Sequence, residues 1–352
     1  MIKNKPLVNL SIIMFLSAII LAMHAAVVCK VDPFMHYHAP DEKYNYIISD
    51  ETQRYTNDGL LRWSDYDALI IGISTSQNIQ KKDVDELWGV NSHKTIYLGG
   101  TLKEIANGLN TALETHEDIK VAIVSLDGYK LIQDKNHYRE DTYSPTYLYD
   151  KNYFNDLNYI LNKDVLFNYC LKMLNKEVPE NPKEIEIKDT SQYEPYSSDG
   201  ILDRLEEGPY PNKLESLTPK ERKMVKGNIQ QNVIDIVNSY PDTEFYYFYP
   251  PYSMVFWANQ YKEGGLKKRL EAEEIAINML LQCDNVRLFS YNGREDIICD
   301  FSNYGDEIHY GYWINRMILE DMHSGNNEIT KDNVEEYLTN ERELILEKAN
   351  DL

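Results

Sequence analysis

The chain has 352 residues, of which 57 are acidic and 36 are basic, and its formal net charge is -21. This acidity argues against nucleic acid or an anionic lipid surface as the main partner. The length exceeds what one small core needs and is short for two large domains. The four cysteines show no CxxC or zinc spacing, so we expect buried free thiols in preference to a Cys283–Cys299 disulfide.

The first predicted element is an apolar helix over residues 7–29, which contain no formally charged side chain. Its length of about 34 Å, at about 1.5 Å per residue, is enough to span a bilayer. Lys3 and Lys5 precede it, which places the N-terminus in the cytoplasm. A cleaved signal peptide fits less well because the apolar run is long and ends in Ala26-Val27-Val28-Cys29, a poor cleavage site, and Val28 is too large for the residue before a lipoprotein cysteine at Cys29. We therefore predict a single-pass signal anchor over residues 1–30 and an extracellular domain after it.

Five short apolar runs follow and predict buried parallel strands. They are residues 67–72, 95–98, 120–126, 244–249 and 286–290. Capping boxes at Thr101–Glu104 and Thr218–Glu221 begin helices toward residues 113 and 239, and residues 266–283 repeat apolar side chains at helical spacing. This alternation predicts a three-layer α/β/α, flavodoxin-like domain with a five-stranded parallel sheet.

Two regions interrupt this alternation. Residues 130–180 have the pattern of an inserted helical and loop segment, and residues 183–217 that of a long polar surface loop, so we place an insertion at about 130–217. The extracytoplasmic domain is then predicted to cover residues 31–324. Residues 325–352 are polar and are predicted to form a peripheral C-terminal helix.

A candidate nucleophile lies at the carboxyl end of the first predicted strand. Ser74 follows Gly72 by two residues, where open α/β sheets place their ligand crevices. A serine hydroxyl is a weak nucleophile and needs a neighbouring base. Ser76 is the competing candidate, although it would more naturally cap or begin the next helix.

The candidate base lies far along the chain, after the last predicted strand. Asp306 precedes His309 by three residues, so its carboxylate can turn back and accept the Nδ1 proton of the imidazole. That bond would leave Nε2 facing the serine. We therefore predict Ser74, Asp306 and His309 as the catalytic residues.

Gly99 and Gly100 follow the second predicted strand and precede a helix cap. Glycine amides can approach a ligand closely there, so we predict an oxyanion site formed by Gly99, in preference to Gly100, and by the amide of Ser74. Tyr252 and Trp257, after the fourth strand, are predicted to be apolar platforms of the crevice. His36 and His38 have no further ligand cluster, so we expect no metal there and instead stacking or hydrogen bonding.

The order serine, aspartate, histidine, with the last two nearly adjacent, resembles the SGNH or GDSL-type hydrolases. The chain also resembles a membrane-anchored, extracytoplasmic SGNH-like group of Gram-positive bacteria over nearly the whole ectodomain. The segments that carry this resemblance are residues 32–38, 54–59, 66–68, 72–78, 99–100, 248–253 and 303–310. The nucleophile turn of that group is Gly-Thr-Ser-Met, whereas here it is Gly-Ile-Ser-Thr, and residues 125–129 lack the asparagine that completes many such sites.

More distantly, the layout is similar to the teichoic-acid D-alanyl transfer protein and the alginate O-acetyltransferases. The resemblance implies a serine acyltransferase or esterase that acts on acyl groups of a cell-surface polymer through an acyl-Ser74 intermediate, without a cofactor. Implied partners are that glycopolymer or its acyl donor, a membrane-bound O-acyltransferase, and the bilayer through residues 7–29. Implied substrate contacts are Arg54, His36, His38, Asn303, Tyr304, Tyr252 and Trp257. The alternative is an inactive protein of the same fold that binds surface polymer or assembles with the O-acyltransferase.

Overall fold

The computed structural model describes residues 5–139, 144–150, 152–178, 196–208, 211 and 213–352. The chain forms two compact units. The first unit comprises Met1–Trp63 and Ser144–Glu186, and the second comprises Ser64–Tyr143 and Ile187–Leu352. The domain bounds drawn from the sequence stay predictions.

The first unit begins with a helix over Lys5–Val31. Its span Pro6–Val31 is apolar and long enough to cross a membrane by length and composition, a test that an N-terminal signal sequence also passes. Large apolar side chains are exposed along it as far as Met23, whereas Val28 and Val31 are buried in a core with Phe34. The predicted long apolar helix is confirmed, and its orientation in a membrane stays a prediction.

The remainder of the first unit is helical. Its elements are Gln53–Trp63, a 3-10 turn Thr146–Leu148, Leu157–Ile160, a π-helical stretch Val165–Cys170 and Leu171–Leu174. Asp32 has a φ of 43° directly after the first helix and accepts hydrogen bonds from the amide of Tyr37 and the hydroxyl of Tyr159. These bonds fix the turn that leads out of the helix.

The second unit contains a six-stranded sheet with the order β2-β1-β3-β4-β5-β6. The strands are β1 Ala68–Gly72, β2 Ser92–Ile96, β3 Val121–Ser125, β4 Glu244–Tyr249, β5 Val286–Ser290 and β6 Glu328–Ile329. The first five are parallel, as predicted, and β6 pairs antiparallel with β5. The predicted count of five strands is wrong because β6 has two residues, too few to give an apolar run.

Helices surround this sheet. They are Lys81–Trp88, Leu102–Thr115, Ser198–Leu202, Pro219–Ile229, Asp235–Ser239, Met254–Lys262, Leu266–Leu280, Glu295–Ile298, Tyr312–Ser324 and Val334–Asp351. A π-helical stretch, Gln230–Ile234, joins two of them. Both predicted capping boxes, at Thr101 and Thr218, are confirmed. Every residue of β1 and β3 is buried, as expected for strands that are covered on both faces.

The parallel strands bring distant residues to one edge of the sheet. Ser74 follows β1, Asp127 follows β3 and Tyr252 follows β4, and these three strands are neighbours. Since carboxyl ends of parallel strands share an edge, these side chains converge there.

Candidate active site

Ser74 begins a 3-10 turn, Ser74–Ser76, one residue after β1 ends. The amide of Ser76 donates to the carbonyl of Ile73 at 2.9 Å, which closes the turn. The tight turn leaves the Ser74 side chain half-buried at the sheet edge while the residues on either side are buried. The serine is therefore held rigidly and remains accessible.

Ser74, His309 and Asp306 form a continuous hydrogen-bonded chain. His309 Nε2 lies 2.8 Å from Ser74 Oγ, and His309 Nδ1 lies 2.6 Å from Asp306 Oδ2. With the Nδ1 proton donated to the carboxylate, Nε2 accepts the hydroxyl proton of the serine. A serine, a base and an orienting acid in this arrangement can carry out nucleophilic attack on an acyl carbon.

The loop that carries the acid and the base is fixed by the acid itself. Asp306 Oδ1 accepts hydrogen bonds from the amides of Ile308 at 2.9 Å and His309 at 2.8 Å. A bridge between Tyr304 and Tyr310 closes the base of the loop. One oxygen of the carboxylate thus shapes the loop, and the other orients the imidazole.

The charge of Asp306 is maintained by the same contacts. Burial alone would raise its pKa, but the hydrogen bond and charge of His309, together with the two loop amides, outweigh burial and hold the pKa below its usual range. The carboxylate is therefore ionised at neutral pH. An ionised carboxylate stabilises the imidazolium that forms when His309 takes a proton.

Ser76, the competing serine, has a different environment. It is 1 % exposed, and no described residue forms a hydrogen bond with its Oγ. Its hydroxyl lies against Gly72, where an added Cβ would come within 2.6 Å of it. The base contacts Ser74 and not Ser76.

The two glycines after β2 differ in their availability. Gly100 donates its amide to the carbonyl of Tyr97 at 2.7 Å, so this amide is already used in a turn. Gly99 has a φ of +59°, which favours glycine, and it lines the same cavity as Ser74. The geometry therefore favours Gly99 over Gly100 as an oxyanion donor, and its role stays a prediction.

The cavity beside Ser74 has a volume of about 340 Å³. Besides the catalytic candidates and Gly99, its lining includes Ile73, Asp127, Tyr129, Lys130, Arg204, Tyr252, Phe256, Glu307 and Ile308. Aromatic rings and charged groups of both signs therefore line the cavity beside the Ser74 hydroxyl. Burial raises the pKa of Glu307, against the opposing effects of a hydrogen bond to Asn259 and the charge of Arg204.

The predicted crevice and loop residues divide between the cavity and the core. Tyr252 lines the cavity, whereas Trp257 is 1 % exposed and packs in a core that includes Leu266 and Ile345. Asn303 accepts a hydrogen bond from Trp313, and Tyr304 donates one to the carbonyl of Pro251. Asn303 and Tyr304 therefore hold the loop that carries Asp306 and His309 instead of lining the cavity.

The other three predicted contacts belong to the first unit. His36 Nε2 lies 3.5 Å from Asp156, and His38 Nδ1 bonds the carbonyl of Ala39 at 2.8 Å. Arg54 is buried in the helix Gln53–Trp63. Among the residues that the structure describes, no group of three or more His, Cys, Asp or Glu side chains is arranged to hold a metal ion.

Several cavity residues were not predicted. Phe256, and not Trp257, faces the cavity, although the two are neighbours. Arg204 comes from a segment interpreted as a surface loop, and no sequence signal marks it. Asp127 stands two residues after β3, at the sheet edge, and its position could have marked it as a site residue.

Comparison with known proteins does not identify a family for this chain. No family model matches the chain, and no curated protein matches it. A solved structure from Streptococcus pneumonia, described as a "putative platelet activating factor", is 12 % identical; the match covers 79 % of this chain and 92 % of that one, with a TM-score of 0.34. A likeness at this TM-score carries no information about function.

Proposed function

We propose that the protein is a serine esterase or acyltransferase that acts through an acyl-Ser74 intermediate. The observation that carries the proposal is the hydrogen-bonded chain from Ser74 through His309 to Asp306, open to a cavity of about 340 Å³. This arrangement supplies a nucleophile, a general base and an orienting carboxylate.

In the first half-reaction, Ser74 Oγ attacks the acyl carbon while its proton moves to His309 Nε2. The electron pair of the carbonyl moves onto its oxygen, and the resulting oxyanion is stabilised by the amides of Ser74 and Gly99. His309 then donates its proton to the leaving group as the tetrahedral intermediate collapses. The product of this step is the acyl-serine.

In the second half-reaction, His309 accepts a proton from an acceptor hydroxyl, which attacks the acyl-serine. The tetrahedral intermediate then collapses, the bond from the acyl carbon to Ser74 Oγ breaks, and His309 returns the proton to Ser74 Oγ. Water as acceptor makes the protein an esterase, and a sugar hydroxyl makes it a transferase. The aromatic wall formed by Tyr129, Tyr252 and Phe256 suits a sugar ring, which stacks on aromatic faces.

We further propose that the substrate is an acylated cell-surface polymer or its acyl donor, and that the protein works in the membrane outside the cytoplasm. The apolar helix over Lys5–Val31 and the resemblance of the sequence to anchored SGNH-like proteins support this proposal. A membrane-bound O-acyltransferase is the partner that such an arrangement would require for acyl supply. Recovery of the intact N-terminus in the membrane fraction, measured by mass spectrometry, is expected; a mature chain that begins near residue 30 would contradict the anchor.

A fluorophosphonate probe tests the enzymatic proposal because it phosphonylates activated serines. We expect the full-length protein to be labelled, Ser74→Ala to lose labelling, and the matched control Ser76→Ala to retain it. Labelling that persists in Ser74→Ala would assign the nucleophile elsewhere. A folded protein that neither reacts with the probe nor hydrolyses small acyl esters would support the non-catalytic alternative.

A further inference from the structure

A turn of the first unit lies beside the helix Lys5–Val31 at the level where the exposed apolar stretch of that helix ends. His24 Nε2 donates to the carbonyl of Asn162 at 3.2 Å, and His24 directly follows Met23, the last of the large apolar side chains exposed along the helix. Helical side chains lean toward the N-terminus of their helix, so the His24 ring leans toward the level of Met23. The turn at Asn162 therefore lies beside the last exposed turn of the helix.

Hydrogen bonds fix the conformation of this turn. The carbonyl of Asn162 also accepts the amide of Leu166 at 3.1 Å, and its Oδ1 accepts the amide of Asp164 at 2.8 Å. These bonds lead into the π-helical stretch Val165–Cys170, which packs against the helix Lys5–Val31. The turn is thus held against the helix by hydrogen bonds and by packing.

The π-helical stretch runs from the level of His24 toward the C-terminal end of the first helix. It begins at the turn beside His24, whereas Cys170, at its other end, lies near Asp32, which directly follows that helix. Burial, and after it the charge of Asp32, raises the pKa of the Cys170 thiol. Phe167, near the start of the stretch, is 60 % exposed. Its ring leans toward that start, and so toward the level of Met23.

The exposed apolar stretch of the helix is shorter than the core of a bilayer. It runs from Leu7 to Met23, about 25 Å at about 1.5 Å per residue, whereas the hydrocarbon core is about 30 Å thick. Lys3 and Lys5 precede Leu7, and a charged residue is costly in hydrocarbon, so the core cannot extend further in that direction. A full core counted from Leu7 ends near Ala26, beyond the level of the turn.

The charged residues of the turn suit a headgroup layer that carries both signs. Lys163 and Asp164 are exposed and of opposite charge, so the turn is locally neutral although the whole chain has a net charge of -21. A lysine can lay its stem along an apolar surface and extend its ammonium group to a lipid phosphate. Phenylalanine together with lysine is typical of surfaces that enter the boundary between headgroups and acyl chains.

We propose that the turn 162–167 is a second membrane-contact surface, in which Phe167 inserts between lipid headgroups and Lys163 contacts their phosphates. This inference rests on the proposed membrane anchor and goes beyond it, because the contact is made by the folded part of the first unit. The occupant is the bilayer that the helix spans and not a partner protein, because a core about 30 Å thick that begins at Leu7 reaches the turn without any other molecule.

Photocrosslinking tests the proposal in the full-length protein reconstituted in phosphatidylcholine vesicles. The photoreactive residue p-benzoylphenylalanine replaces Phe167, Met14 or Trp63, one at a time. Met14, which is 65 % exposed within the first helix, reports on the anchor. Trp63 is the matched control: it is 44 % exposed, but its Nε1 bonds the carbonyl of Met35, past the C-terminal end of that helix and away from the turn.

We expect lipid adducts, identified by mass spectrometry, at Met14 and Phe167, and their loss at Trp63. Adducts at Met14 but none at Phe167, in a variant that melts at the wild-type temperature, would overturn the inference and leave the anchor in place. Equal yields at Phe167 and Trp63 would also overturn it, because the contact would then not be specific to the turn. No adducts at any of the three positions would refute the anchor and the inference together.

The same variants in native membranes distinguish a lipid from a protein at this surface. A lipid adduct at Phe167 would support the inference there as well. A Phe167 adduct with another protein, and none with lipid, would overturn it in favour of a protein partner.

Discussion

Replacement of Asp306 by asparagine tests whether the Ser74–His309–Asp306 chain operates as a unit. The two amides that bond Oδ1, from Ile308 and His309, require an acceptor in the variant too. They fix the orientation of the new side chain, with its carbonyl oxygen toward the loop and its NH₂ group toward His309 Nδ1. Nδ1 must then accept a hydrogen bond from this NH₂ group, so the proton of the neutral imidazole moves to Nε2, which can no longer take the proton of Ser74.

The expected loss of acylation rate in Asp306→Asn can be calculated from the charge that the variant removes. In wild type, His309 Nδ1 lies 2.6 Å from Asp306 Oδ2, and the two charge centres are about 4 Å apart when the imidazolium forms. At an effective dielectric constant of about 20, this interaction stabilises the imidazolium by about 4 kcal/mol. At 1.36 kcal/mol per decade of rate, its loss slows acylation by about 10³-fold, and the wrong tautomer slows it further.

The assay is the pseudo-first-order rate of Ser74 labelling by the fluorophosphonate probe in the full-length protein. Asp296→Asn is a matched control because it removes one exposed carboxylate outside the cavity; its rate should equal that of wild type. The loop bonds are kept in Asp306→Asn, so its thermal stability should change little. A rate within 10-fold of wild type would refute the assigned roles of Asp306 and His309.

Two further predictions concern backbone strain and pH. Gly99→Ala places a side chain at a φ of +59°, where its Cβ would also clash with the guanidinium of Arg139, so we expect a loss of at least about 1–2 kcal/mol in unfolding free energy and slower probe labelling. Gly89→Ala, at a φ of +66° with open space around it and outside the cavity, should lose about 1–2 kcal/mol from backbone strain alone, with an unchanged labelling rate; equal rates in both variants would argue against a role for Gly99. Burial raises the pKa of Glu341 to about 7, so the folded state holds this proton more tightly than the unfolded state, where the pKa is near 4.5. Stability should therefore fall as pH rises from 4.5 through about 7, and Glu341→Gln should make this fall smaller in thermal melts, with the buried carboxyl of Glu273 contributing the rest; an identical pH dependence in the variant would refute it.

The sequence predicts those parts of the fold that depend on local pattern. Strands β1, β3, β4 and β5 are short runs in which most residues are apolar, and their predicted bounds lie close to those observed. The second strand was predicted at 95–98, but β2 is Ser92–Ile96. Its Lys94 is buried because Nζ donates to the carbonyls of Gln77 and Ile79, and no apolar pattern reveals such a contact.

In the candidate site, too, the features set by local spacing could be predicted and those set by tertiary packing could not. Asp306 and His309 could be paired from their spacing because a three-residue loop brings them together whatever the rest of the chain does. Phe256 and Trp257 could not be distinguished because successive helical residues differ by about 100° in direction, and only the packing of the helix decides which faces the cavity. Arg204 reaches the cavity through the path of a polar segment, which depends on tertiary structure.

The first helix has a mechanical consequence for the first unit. Large apolar side chains are exposed along this helix as far as Met23. At His24, Nε2 forms a hydrogen bond with the carbonyl of Asn162. From there the same helix continues to Val31, which is buried in the core of the first unit. The eight helical residues from His24 to Val31 rise by about 12 Å, at about 1.5 Å each. The exposed apolar stretch is therefore joined to the folded core by continuous helix, without a flexible linker. If the helix spans a bilayer, the first unit is held at a fixed height near the headgroups, and any tilt of the helix turns that unit by the same angle.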